Sequence, residues 1–202
     1  MNFFLKKTIL AIFYAVFVFF PPFSTAKEGE SIYQSPKNYK ERFLKQLLVK
    51  RYDGLQASFK DWSVYKVMQD GKYYCYILSI PIHKHGNKIL RGESYAVVSD
   101  IENDTSEITI VSGYIYKKTA NVEMSFGAHK YYLFPYMATA WTYSRNDDID
   151  IIKEMQQNDE FIVSAMTINN KMTNDSYSLI GFTQAYFKLK EICKNDRNIK
   201  LD

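Results

Sequence analysis

The chain has 202 residues and only two cysteines, and the second of them closes a helix pattern. Phe182, Ala185, Tyr186, Leu189, Ile192 and Cys193 recur at the spacing of one face of a 3.6-residue helix. Just upstream, Asn174-Asp175 reads as a polar turn and Tyr177 to Ile180 as a short strand-like piece. Gly181 reads as the corner between strand and helix, and Ser178 as the helix N-cap. A short amphipathic helix is stable only when its apolar face is packed. The segment therefore has to dock on the rest of the fold, and Cys193 offers a covalent way to hold it there.

The other end of the chain bears on that possibility. Lys6 and Lys7 precede an uncharged apolar run, Thr8 to Phe20, which Pro21 and Pro22 interrupt. Ser24-Thr25-Ala26 then supplies the small residues of a cleavage site, so residues 1–26 are read as a signal peptide. The run falls short of the roughly 20 residues that span a bilayer. Export delivers the chain to an oxidising compartment, where Cys75 and Cys193 are expected to pair. For a closed loop of this length the chain-entropy estimate is about 4–5 kcal/mol. A catalytic thiol pair would use C-x-x-C spacing, which is absent. Loss of Lys6 and Lys7 with the signal lowers the formal net charge from +4 to +2. With no basic block, no nucleic-acid partner is expected, and membrane association is at most peripheral.

The remainder divides into a polar leader at residues 27–37 and one domain at residues 38–202. Tyr39, Phe43, Leu44, Leu47 and Leu48 make the apolar stripe of an amphipathic helix over residues 38–51, with Asp53-Gly54 as its stop. From Asp61 the pattern is β. Trp62 to Val67 leads through Asp70-Gly71, a hairpin turn, into Lys72 to Ile82, whose two faces are both largely apolar. That strand is expected to be interior, ending at Pro81, with His83 to Arg91 as a basic loop. Further strands are read at Ser94 to Ser99, Glu107 to Tyr116, around Val122 to Phe126, and as a pair about Pro135. Asp147 and Asp148 open a short helix, Ile149 to Gln156, with Ile149, Ile152 and Met155 inward and Asn158 as a left-handed stop. Glu160 to Ile168 is a final long strand before the Asn169-Asn170 turn. Many short strands with turns between them indicate a mainly β fold. The expected form is an antiparallel β-sandwich or barrel-like domain carrying an N-terminal, an inserted and a C-terminal helix.

No residue set assembles into a catalytic constellation. His83 and His85 would point the same way on a strand, but they fall in the predicted basic loop. With only His129 left as a third ligand, they read as solvated and no metal site is assigned. There is no Gly-x-Ser-x-Gly elbow, and Gly181 lacks the companion glycines of a phosphate loop. Asp147, Asp148 and Asp150 lack the glycine and distal glutamate of a calcium loop. Asp61 has no carboxylate partner by spacing. No catalytic, metal or cofactor residue is therefore expected.

Several pieces in order carry a resemblance across about residues 61–193. Asp61-Trp62-Ser63-Val64-Tyr65 opens it, and Cys75-Tyr76-Ile77-Leu78-Ser79-Ile80-Pro81 follows. Arg91-Gly92, Gly113-Tyr114 and Thr139-Ala140-Trp141-Thr142 come next, then Asp175-Ser176-Tyr177-Ser178-Leu179-Ile180-Gly181-Phe182. The chain resembles the invasion-associated locus B family of exported bacterial proteins. The resemblance implies a β-rich domain in the periplasm, on the outer membrane or secreted, with no active site to carry over. Some relatives are implicated in entry into host cells. The export signal, the expected disulfide and the lack of a catalytic constellation lead to the expectation of a non-enzymatic binding protein that contributes to host-cell entry and contacts a protein, envelope or host-surface component through exposed aromatics and Arg91. The competing expectation is a periplasmic envelope-maintenance or folding factor with no host role.

Overall fold

The computed structural model describes residues 54–69, 71–86, 91–101 and 105–197. The predicted signal, leader and N-terminal helix lie outside them. The described strands are β1 (Leu55–Phe59), β2 (Trp62–Gln69), β3 (Lys72–Ser79), β4 (His83–Gly86), β5 (Tyr95–Ile101) and β6 (Thr105–Val111). They continue with β7 (Val122–Phe126), β8 (His129–Tyr136), β9 (Thr139–Thr142), β10 (Glu160–Met166) and β11 (Met172–Ser178). Two helices accompany them, α1 (Arg145–Gln157) and α2 (Phe182–Arg197).

The strands form one open antiparallel sheet in the order β1-β2-β3-β5-β6-β9-β8-β7-β10-β11-β4. The mainly antiparallel expectation holds, but a closed barrel does not form, because β1 and β4 are left as edges with one neighbour each. Strands from both halves of the sheet feed one core with the helices. Trp62, Ile77 and Ile108 meet Met124, Phe161 and Tyr177 there, joined by Ile151 and Met155 of α1 and Phe182 and Leu189 of α2.

β3 is interior, as its two apolar faces demand: it lies between β2 and β5. Cys75 and Ile77 on one face and Tyr76 and Leu78 on the other are all buried. Across the β2–β3 hairpin, Gln69 pairs with Lys72. The α2 stripe is also as read: Phe182, Ala185, Leu189 and Cys193 are buried, Tyr186 and Ile192 pack against the core, and Phe187 faces out.

Five local readings are corrected. Asn174-Asp175 is not a turn but the middle of β11, which pairs with β10 from Glu160↔Ser178 to Met166↔Met172. The alternation of buried Thr173, Asp175 and Tyr177 with outward Asn174 and Ser176 overrides the turn propensity of Asn-Asp. His83 to Gly86 is not a loop but edge strand β4, held against β11 by Ile82 N–H donating to the Ser176 carbonyl at 2.8 Å. The β8–β9 turn is Met137-Ala138, because Tyr136 pairs with Thr139. Pro135 stays inside β8, where pairing with β7 has ended at Leu133, so its missing N–H is not needed there.

α1 starts at Arg145 with Ser144 as its N-cap, the Ser144 hydroxyl accepting from Asp147 N–H at 3.2 Å. The buried face is made by Ile151, Ile152 and Met155, with Ile149 exposed. Asn158 ends α1 with φ −112° rather than in the left-handed region, its amide donating to the Glu154 carbonyl at 2.9 Å.

Candidate functional site

The residues that carry the motif gather at three places. The first is the corner leading into α2. Gly181 has φ +91°, and a Cβ on it would fall 1.9 Å from the Phe59 carbonyl oxygen, so the β1–β2 turn and this corner touch backbone to backbone. Asp61 N–H donates to the Ile180 carbonyl at 3.3 Å. The Trp62 indole N–H donates to the Ser178 carbonyl at 2.9 Å while its ring meets Phe182 edge-on at 5.0 Å. Ser178 is not the helix N-cap. It ends β11, and its hydroxyl accepts from Ile180 N–H at 3.1 Å in a turn before the helix. The Cys75–Cys193 disulfide bolts the far end of α2 to β3, with Cα atoms 6.1 Å apart.

The second place is built around Arg91. Its guanidinium donates to both carboxylate oxygens of Asp175, at 2.9 and 2.8 Å, in a bidentate pair. Both side chains are shielded, at 12% and 6% exposure, so Arg91 is not available as the surface contact expected of it. Tyr114 lies beside the guanidinium, 6.0 Å from its ring centre, and shares a hydrogen bond with Thr173. Tyr116 meets Tyr114 edge-on, and Tyr177 stacks on Phe161 at 4.9 Å. Burial raises the pKa of Tyr114, Tyr116 and Tyr177. The Asp175 carboxyl is also raised, first by burial, with Arg91 opposing. The Tyr177 hydroxyl has no hydrogen-bond partner among the described residues. Gly92 and Gly113 seal this end: Gly92 N–H donates to the Gly113 carbonyl at 2.8 Å, and a Cβ on Gly113 would lie 2.4 Å from the Gly92 oxygen.

The third place is Trp141, buried on β9, whose indole N–H donates to the Thr139 hydroxyl at 3.0 Å. Pro81 is buried just beyond β3. Sequence reasoning missed one buried acid. In sequence Asp148 reads as an ordinary helix-opening aspartate, yet its Oδ1 accepts from Ile108 N–H at 2.9 Å and from the Thr142 hydroxyl at 2.8 Å, so it docks α1 on β6 and β9. Nothing local in the sequence distinguishes it from Asp147.

The polar residues singled out for chemistry are kept apart. Asp61 lines an open groove of about 480 Å³ with Lys60, Ser63 and Ser79, and no histidine reaches it. His129 on β8 instead bonds Glu154 of α1 at 2.7 Å. His83 and His85 occupy β4 at the sheet edge. Exposed apolar residues, by contrast, collect near the β8–β9 hairpin. Tyr132, Tyr143 and Met137 are each more than half exposed, and the Phe134 and Tyr143 rings are 5.5 Å apart. Ile115 and Ile168, also exposed, flank the turn through the backbone bonds Tyr116 N–H to Met137 carbonyl and Ile168 N–H to Ile115 carbonyl.

No described helix is long and apolar enough to cross a membrane. None of the curated proteins matches the chain. Among solved structures, it is similar to invasion associated protein B from Bartonella henselae, with a TM-score of 0.53 and 12% identity over 70% of this chain and 99% of that one. At that identity the likeness establishes the fold. The family model described as invasion associated locus B (IalB) protein matches residues 62–190, more than half of the chain, and the protein therefore belongs to the IalB family.

Proposed function

We propose that the protein is exported and acts without catalysis, by binding another protein, and that it contributes to host-cell entry. One observation carries this reading. The motif residues are spent inside the fold, on the α2 corner, the Arg91–Asp175 pair and the Trp141 site, while exposed aromatic and aliphatic side chains collect at the β8–β9 hairpin. A patch of exposed apolar surface marks an interaction site more often than scattered single side chains do. The name of the similar Bartonella henselae protein associates that protein with invasion. A gene deletion should reduce entry into host cells. The wild-type gene should restore entry, and a Tyr132→Ser/Tyr143→Ser variant should not, although it folds normally. Crosslinkers placed at Tyr132 should capture the partner, whereas crosslinkers at Lys188 on α2 should not. Entry unchanged by the deletion, with envelope damage outside any host, would establish the envelope-maintenance role instead.

A further inference from the structure

His83 and His85 acquire a role once their segment is a strand. Successive side chains on a strand alternate between faces, so both imidazoles lie on one side of β4 and Lys84 lies on the other. The register with β11 shows which side is which. Lys84 is directly opposite Asp175, the buried partner of Arg91, while His83 is opposite Ser176 and His85 opposite Asn174. Directly opposite residues of an antiparallel pair share a face. The histidines therefore share the outward face with Ser176 and Asn174, and the cation between them turns toward the buried carboxylate.

We propose that His83 and His85 form a two-imidazole chelate for a borderline divalent transition metal, Cu(II) before Ni(II) or Zn(II), on the outer face of edge strand β4. The two ring centroids are 6.0 Å apart. One ion with metal–nitrogen bonds of about 2.0–2.1 Å to each ring would bring the centroids to roughly 4.5–5 Å. Both side chains are exposed, so a small rotation about their own bonds closes the gap without moving the strand. Imidazole suits these ions, and Cu(II) ranks above its neighbours for a nitrogen site. Among the described residues no group of three or more His, Cys, Asp or Glu is placed to hold a metal. Solvent, or the Asn174 amide oxygen on the same face, completes the coordination sphere. Such a site is open, as exchangeable or surface-delivered metal requires, and unlike the closed four-ligand sites that hold a structural ion.

The untagged protein is titrated with Cu(II) by calorimetry, with Ni(II) and Zn(II) in parallel. The expected result is one Cu(II) per chain, bound more tightly than the other two ions, with an electron paramagnetic resonance spectrum showing two imidazole nitrogens. His83→Ala and His85→Ala should each weaken binding at least about tenfold, and the double variant should abolish it. His129→Ala should leave it unchanged. Near-UV circular dichroism checks that each variant folds. Should the β4 variants fail to fold, protection of His83 and His85, but not His129, from diethylpyrocarbonate by Cu(II) in the wild type decides the matter. Undiminished binding in the double variant, loss of binding on His129→Ala, or no saturable binding below about 1 mM would overturn the proposal.

Discussion

The α2 corner contrasts with two exposed places, edge strand β4 and the β8–β9 hairpin. At the corner, Trp62, Ser178, Gly181 and Phe182 are locked by a backbone contact, an indole hydrogen bond and a ring contact, and a disulfide holds the other end of the helix. By contrast, β4 is exposed along its whole length, and the β8–β9 hairpin presents Tyr132, Met137 and Tyr143 to solvent. The corner is one of three buried places where the motif residues are spent, the others being the Arg91–Asp175 pair and the Trp141 site, whereas the side chains able to meet something else are exposed. A motif can therefore mark a fold while saying nothing of the partner.

The contrast is tested most harshly at Gly181. Gly181→Ala puts a Cβ onto the Phe59 carbonyl at a φ that L-residues avoid, and should cost more than about 4 kcal/mol or yield no soluble protein. A normal denaturation midpoint for this variant would mean the corner is not a clasp. Next comes Cys193→Ser, expected to lower stability by about 4 kcal/mol under oxidising conditions. Reduced wild type should fall to the same level, and an unchanged midpoint in either would remove the covalent half of the clasp.

The Arg91–Asp175 pair should follow. Arg91→Ala strands a buried carboxylate and should cost about 3 kcal/mol, while Arg91→Met with Asp175→Leu should recover most of that. The pair also has a pH signature. Burial raises the Asp175 pKa above 3.8 despite Arg91, so the folded state holds that proton more tightly than the unfolded chain. Its contribution is fully present below 3.8 and is lost as pH rises through the folded value. Measured against Asp175→Asn, the wild type should lose relative stability across that rise; a gain would reverse the assignment. The smallest effects sharpen the comparison from both sides. Tyr177→Phe removes a buried hydroxyl that has no partner among the described residues and should be neutral or stabilising by about 1 kcal/mol. Tyr132→Ser and Tyr143→Ser should stay within about 0.5 kcal/mol of wild type by thermal melts, although they are chosen to abolish partner capture.

What was legible in the sequence was whatever repeats within a few residues. The α2 stripe, the two apolar faces of β3 and the β2–β3 hairpin are legible because each is written in local periodicity or turn chemistry. β1, a short edge strand whose residues are mostly exposed, left no such trace. Asn174-Asp175 misled because its turn propensity is local, while the pairing and the Arg91 contact that override it come from residues far away in the chain. His83 and His85 were placed in a loop for the same reason: their strand exists only because β11 lies beside it.

By itself the sequence determined a mainly β chain, the identities of the two described helices, the pairing partner of Cys193 and membership in the IalB family. These rest on periodicity, residue counts and ordered motifs, all readable along one dimension. The tertiary structure alone decided that Arg91 is buried on Asp175, that Asp148 holds α1 to the sheet, and that two histidines share an outward face. Each depends on which distant segments become neighbours, and that is settled only when strands choose partners and register around a common core.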